Sequence, residues 1–268
     1  MSQLSDLLAE AFDYFQEHGF TDEVTVRDWV RRLEDAARAS MAPQEELQAE
    51  LRRRFTKLFE QTVAKIGRTP GVARFTVQNV HPALRAVLDR RILASAALIK
   101  LNRDEMIGAT LRRFVGWVTS LPAEDQRKVD RAALREQLGK PLRSLPWAER
   151  RVMIDQGHKL VANVSATVAE GGGAIAARWV SHWRQENYDY REKHKERDGN
   201  VYVIRDSWAA KAGSVRRGDQ PWSDEITQPA EEPFCRCNYT YLYHLRQLPE
   251  ECLTAKGREK LAEARVAS

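Results

Sequence analysis

Glu170-Gly171-Gly172-Gly173-Ala174 is the stretch on which the reading of this chain turns. Three successive glycines carry so little conformational restriction that a helix ends there, and a boundary is expected nearby. No Lys-Ser/Thr pair comes after them, so they do not read as a phosphate-cradling loop. What makes them decisive is the change of pattern across them, from helical spacing upstream to short strands and Gly/Pro loops downstream.

Upstream, apolar residues recur at intervals of three and four. Leu4, Leu7, Leu8, Ala11, Phe12 and Phe15 form one amphipathic stripe, closed by His18 and Gly19. Thr25 offers an N-cap oxygen, with Asp28 as the capping-box acid, ahead of Val26, Trp29, Val30, Leu33 and Ala37. Pro43 suits the first turn of a third helix whose face runs Leu47, Leu51, Phe55, Leu58, Phe59, Val63 and Ile66, until Gly67, Pro70 and Gly71 break it. Two further helices are expected, over about 82–100 after His81-Pro82 and over 103–119, where Asn102 caps and Glu105 reaches back. Leu121-Pro122, Gly139, Pro141 and Pro146 punctuate the next stretch, and a longer helix resumes from Trp147 to about Glu170.

Downstream, Val201 to Ile204 reads as a short strand after the Asp198-Gly199 turn, and Asn238 to Tyr243 as a second, aromatic-rich one. Gly213, Gly218, Pro221, Pro229 and Pro233 impose a long irregular connection between them, of the kind kept when it binds or caps something. The expected fold is therefore α+β and predominantly helical. Residues 1–146 form a helical region and 147–268 a small mixed module.

With 43% hydrophobic and 30% charged residues over 268 positions, the chain has enough apolar content for a real core and is not of the disordered class. Its longest uncharged apolar run, Ile92 to Ile99, falls far short of the about 20 residues that cross a bilayer. The first 26 residues carry six acids and no Lys or Arg, the reverse of a signal peptide, so a cytoplasmic origin is expected. Cys235, Cys237 and Cys252 make no disulfide framework. The net charge of +5 is unevenly spread, with −6 over residues 1–26, +11 over 27–168 and zero over 169–268. A basic, arginine-rich middle suits a polyanion, and the pairs Arg52-Arg53, Arg90-Arg91 and Arg112-Arg113 are candidate contacts to double-stranded DNA. A GC-rich genome would inflate arginine just as well.

Between Trp179 and Tyr243 polar and aromatic residues concentrate. Trp179 is followed by Asp189-Tyr190-Arg191-Glu192-Lys193-His194, by Asp198-Gly199, and after the Gly/Pro loop by Pro233-Phe234-Cys235-Arg236-Cys237. This order over residues 150 to 245 resembles the phage head morphogenesis family, the Mu F-like minor head proteins. Glu232-Pro233-Phe234 stands where that family often has His-Pro-Asn, and with only Cys252 to Ser268 as a tail, the toxin or enzyme domain some relatives carry is not expected. The resemblance implies a non-enzymatic protein of the capsid interior, present in the host cytoplasm during assembly. It would associate with the portal protein, with major capsid or scaffold protein and double-stranded DNA as further partners, and without a membrane.

In that reading Trp179, Asp189, Arg191, His194, Gly199, Cys235, Arg236 and Cys237 are structural. Asp189, Arg191 and His194 would share a helix face, either as a hydrogen-bonded network or as the basis of an enzyme. The two thiols would sit under the Cys-Arg-Cys strand with Arg236 turned away. Trp179, Trp183 and Trp208 read as core anchors, and Trp208, Trp222 and Phe234, in or beside the loop, as candidate protein-contact anchors. The C-x-C spacing departs from the usual C-x₂₋₄-C of structural zinc sites, so no cofactor or stoichiometric zinc is expected. The alternative is a metal site on His194, Cys235 and Cys237, joined by His182 or His244.

Overall fold

A computed structural model describes residues 2–20, 22–67, 74–120 and 131–266. Pro70, Gly71, Leu121 and Pro122 lie outside them. The structure is 69% helical with, among the described residues, one three-stranded antiparallel sheet, the expected α+β class. It forms two units that interleave along the sequence: Met1–Leu51 with Leu93–Met153, and Arg52–Ile92 with Ile154–Ser268. The expected border at 146/147 falls inside a continuous helix instead.

The first unit is helical. Helices α1 (Ser2–His18) and α2 (Glu23–Ala39) place Leu4, Leu8, Ala11 and Phe15 against Val26, Trp29, Leu33 and Ala37. Asp22, not Thr25, caps α2. Its carboxylate accepts from the Thr25 N–H at 2.8 Å and from the Thr25 hydroxyl at 2.9 Å, so Thr25 serves the cap from inside the first turn. Helix α3 (Gln44–Ile66) starts beside Pro43, whose carbonyl accepts from the Leu47 N–H.

The two helices expected over 82–100 and 103–119 are one, α4 (Arg74–Thr119). Gln78 and Pro82 are exposed, so the Gln78 carbonyl that the proline leaves without a helical donor is open to water. Leu84, Leu88, Ile92, Ala96, Ile99, Ile107, Phe114 and Val118 are all buried along this helix. An in-phase stripe of that length outweighs the small helical penalty of Asn102. The same reason carries α5 (Arg131–Gly171) through Gly139, Pro141 and Pro146, because Leu138, Leu142 and Leu145 keep a buried stripe. Phe114 packs edge-on to Phe12 and Phe15 and closes the core of this unit.

In the second unit α5 ends at the glycines as expected. Gly173 takes φ +77°, and the Ala174 N–H returns to the Ala169 carbonyl at 2.9 Å. The chain then enters a strand that the sequence pattern does not announce, β1 (Ala176–Val180), the centre of the sheet. Its neighbours are β2 (Val201–Val203), with Ala176 opposite Val203, and β3 (Asn238–Leu242), with Trp179 opposite Tyr239.

The period of two sorts the side chains by face. Ala176, Val201, Val203 and Leu242 join Val215, Leu248, Cys252 and Leu253 on one side, while Trp179 and Tyr202 pack with Cys235 and Cys237 on the other. A single helical turn, α6 (Glu192–Glu196), lies on the path from β1 to β2. Short helix α7 (Trp208–Lys211) and a 3₁₀ turn at Ser223–Glu225 give structure to the Gly/Pro connection. The unit is closed by α8 (Ala255–Val266), which docks so closely that a Cβ on Gly257 would lie 2.1 Å from the Ser214 carbonyl oxygen.

Candidate functional site

Trp179 anchors the site on β1, fully buried, its ring edge-on to Tyr239 at 5.6 Å and to His194 at 5.3 Å between centroids. After β1 the chain turns out into a loop pinned by Asp198, whose carboxylate accepts from the Ser181 N–H at 2.8 Å and from the Trp183 indole at 3.0 Å. Those bonds, the Ser181 amide first, hold Asp198 below the usual carboxylate range. Gly199 comes next with φ +84°, a conformation that lets its N–H reach back to the Trp179 carbonyl at 2.9 Å and returns the chain into β2.

Between these points α6 delivers His194 inward until 3% of it is exposed. Asp189 and Arg191 are not on a shared helix face with it. Both precede α6, and Asp189 is exposed. The network partner of Arg191 is Glu232, with Nε 2.7 Å from Oε2, while a second guanidinium N–H donates to the Pro233 carbonyl at 2.9 Å. The other carboxylate oxygen, Oε1, lies 3.4 Å from His194 Nε2. Arg191 thus holds the acid that faces the imidazole.

Cys235-Arg236-Cys237 lies ahead of β3 rather than inside it. Both thiols are buried and meet the opposite side of the same imidazole: His194 Nδ1 is 3.5 Å from Cys235 Sγ and 3.6 Å from Cys237 Sγ. The backbone N–H groups of Ala230 and Cys237 face the first sulfur, and that of His182 the second. Cys235 is pushed down, first by the hydrogen bond from the Cys237 thiol; Cys237 is pushed up by donating that bond and by its burial. The pair therefore favours a single thiolate over two.

The loop is held in this shape from outside. Phe234 takes φ +61°, uncommon for a side chain of its size, and its N–H donates to Asp155 Oδ1 on α5 at 2.6 Å. Asp155 is in turn paired with Lys159 at 2.9 Å, both side chains largely buried. The Arg236 N–H donates to the Tyr188 hydroxyl at 3.1 Å, and the Arg236 guanidinium covers the Tyr188 ring.

His194, Cys235 and Cys237 are the one group of three or more metal-capable side chains brought within reach among the described residues. His182 and His244 do not join it. His182 Nε2 faces Asn238, and His244 is exposed at the start of a 3₁₀ turn. Beside the trio, Cys237 forms part of the wall of a cavity of about 310 Å³ with His158, His182, Arg236, Tyr239 and Tyr241. Burial pushes His158 down and both tyrosines up, so a neutral imidazole and neutral phenols line it.

The remaining candidates divide. Trp208 and Phe234 are 49% and 45% exposed, whereas Trp222 packs against the buried face of the sheet beneath the Arg205 guanidinium. Arg52 pairs with Asp89 at 3.4 Å, and Arg91 is half-buried and spends its donors on Asn163 and Gln156. Burial also lowers Arg91 from the usual guanidinium value. Arg53, Arg90, Arg112 and Arg113 are exposed, Arg113 donating to the Gln137 carbonyl.

Glu232, Asp155 and Tyr188 belong to the site, and no sequence signal points to them as members of it. Glu232 stands out there only as a departure from a motif, and nothing local links Asp155 to a loop some eighty positions on. No family model, curated protein or solved structure matches the chain.

Proposed function

We propose that this chain is a minor head protein of a phage-type capsid, associated with the portal vertex inside the head and acting in head morphogenesis, DNA packaging or DNA delivery. One observation supports this reading above the others. Of the residues that carry the resemblance, Trp179, His194, Cys235 and Cys237 are buried together, half-buried Arg191 reaches that cluster through Glu232, and Gly199 turns the chain beside it, while Asp189 stays exposed outside. Such a unit is what a non-enzymatic recognition module needs: a fixed scaffold with contact residues on its outside. Trp208 and Phe234 are exposed aromatics of this module available for the portal protein, since aromatic anchors dominate interface energy. Major capsid or scaffold protein and double-stranded DNA are the further partners.

The test is co-purification of the full-length chain with the portal protein encoded beside it. The double variant Trp208→Ala, Phe234→Ala should weaken the complex by about tenfold or more with unchanged circular dichroism. No complex between the wild-type chain and the portal protein refutes the assignment. A complex undiminished in the double variant moves the docking surface away from these two rings.

A second reading, sequence-independent DNA binding, is favoured by the exposure of Arg53, Arg90, Arg112 and Arg113. Its mark would be affinity for any duplex that falls log-linearly with salt. Arg91 is withdrawn from that set by its bonds to Asn163 and Gln156.

A further inference from the structure

We propose that His194 Nδ1, Cys235 Sγ and Cys237 Sγ bind one zinc-class divalent cation in tetrahedral geometry, its fourth corner taken by solvent from the cavity that Cys237 lines. The inference is independent of the head-protein reading, because it rests on donor chemistry and distances alone.

Thiolate and imidazole are the donors such a borderline-soft ion prefers. Zn–S and Zn–N bonds of about 2.3 and 2.0 Å at a tetrahedral angle place sulfur and nitrogen roughly 3.5 Å apart. The two S···N distances here are 3.5 and 3.6 Å, and all three donor atoms lie within 4.8 Å of one another. The objection raised by the C-x-C spacing concerns two ligands supplied by one extended segment. It loses its force once Phe234 and Ala230 have turned the loop through positive φ and α6 supplies the third ligand from across the module.

The surroundings are those of a ligand set rather than of two idle thiols. Backbone N–H groups face both sulfurs, as a bound thiolate requires to spread its charge. Glu232 stands at His194 Nε2, the position from which a carboxylate accepts a hydrogen bond from the ring N–H and so favours the tautomer that leaves Nδ1 with its lone pair toward the cysteines. Arg191 fixes that carboxylate at 2.7 Å. A buried histidine and two buried cysteines kept only for packing would need neither the carboxylate nor its clamp. Cys252, also buried, has no such partners and sits on the opposite face of the sheet, in an apolar cluster.

The experiment is cobalt titration of the full-length protein after chelator treatment, together with elemental analysis of protein purified without chelator. The expected result is one zinc per chain, and on adding Co²⁺ an intense near-ultraviolet sulfur-to-cobalt band with the visible bands of tetrahedral coordination. His194→Gln, Cys235→Ser and Cys237→Ser should each abolish or shift that spectrum, and Cys252→Ser should leave it intact. Glu232→Gln should keep the tetrahedral spectrum and weaken metal affinity by about 10-fold to 100-fold in chelator competition. Wild-type protein that gives no thiolate-to-cobalt band and carries no zinc overturns the proposal, and the trio is then a hydrogen-bonded thiol–imidazole cluster. Because that reading is made on the wild-type chain, it holds even where a ligand variant fails to fold.

Discussion

The two units are held together by different means. In the helical unit four helices contribute to one apolar core, in which Phe15, Leu33, Phe114 and Val118 are almost without exposure and aromatic rings meet edge to edge. In the mixed unit a sheet of only three strands separates an aliphatic face from one built of Trp179, Tyr202, two cysteines and a histidine, and hydrogen bonds set the loops around it. The first arrangement is tolerant in detail and strong in sum, because apolar burial is non-directional. The second is directional. It depends on a few contacts between residues far apart in sequence, and that is where chemistry can be placed.

The largest effect expected from breaking this contrast is in the helical core. Phe114→Ala removes a fully buried ring that touches Phe12 and Phe15, and should cost about 3–5 kcal/mol in urea unfolding followed by circular dichroism. A loss below about 1 kcal/mol would mean the core is less tightly packed than its burial indicates.

In the mixed unit the comparable site is a glycine. Gly257→Ala drives a methyl group into the Ser214 carbonyl and should destabilise by about 1–3 kcal/mol, because backbone on both sides must move. Unchanged stability would show that α8 does not dock where Gly257 places it.

Trp208 sharpens the distinction between scaffold and surface. With half its area exposed and its indole N–H bonded to the Gly173 carbonyl at 3.1 Å, Trp208→Ala should lower stability by about 1 kcal/mol or less. A loss near that of Phe114→Ala would assign Trp208 to the core.

The smallest effect is electrostatic. The folded-state pKa of Asp198 is depressed, so its contribution is present above the ordinary value of 3.8 and lost as pH falls through the lower folded value. The bonds to Ser181 and Trp183 should therefore loosen only below about pH 4, with a change in Trp183 fluorescence that Asp198→Asn removes. A transition of the same size in the Asn variant would place its origin in another carboxylate.

Much of the helical half could be read from spacing, but its ends could not. The stripe from Leu4 to Phe15 and that from Val26 to Ala37 fill the core they predict. His81-Pro82, Asn102, Gly139, Pro141 and Pro146 look like punctuation, and each lies inside a helix, because a stop signal costs less than interrupting a buried stripe. Strand β1 was illegible for the opposite reason. In Ala176-Ala177-Arg178-Trp179-Val180 only the last two residues favour a strand, and the segment becomes extended by pairing on both edges.

The candidate site shows the same division. Residue types along the chain, His194 and the Cys-Arg-Cys segment above all, determined which donors exist, just as the glycines at 171–173 determined that the last long helix must stop. Only the tertiary structure decided that the two thiols face Nδ1 of the imidazole while Glu232 faces Nε2, that Arg191 serves Glu232 rather than Asp189, and that Arg91 is spent inside the fold. Local sequence fixes the period of a stripe and the freedom of a turn, both of which act over a few residues. Which side chains share a donor or a cation depends on chain segments tens of residues apart being packed to within a few ångströms, and no short-range pattern encodes that distance.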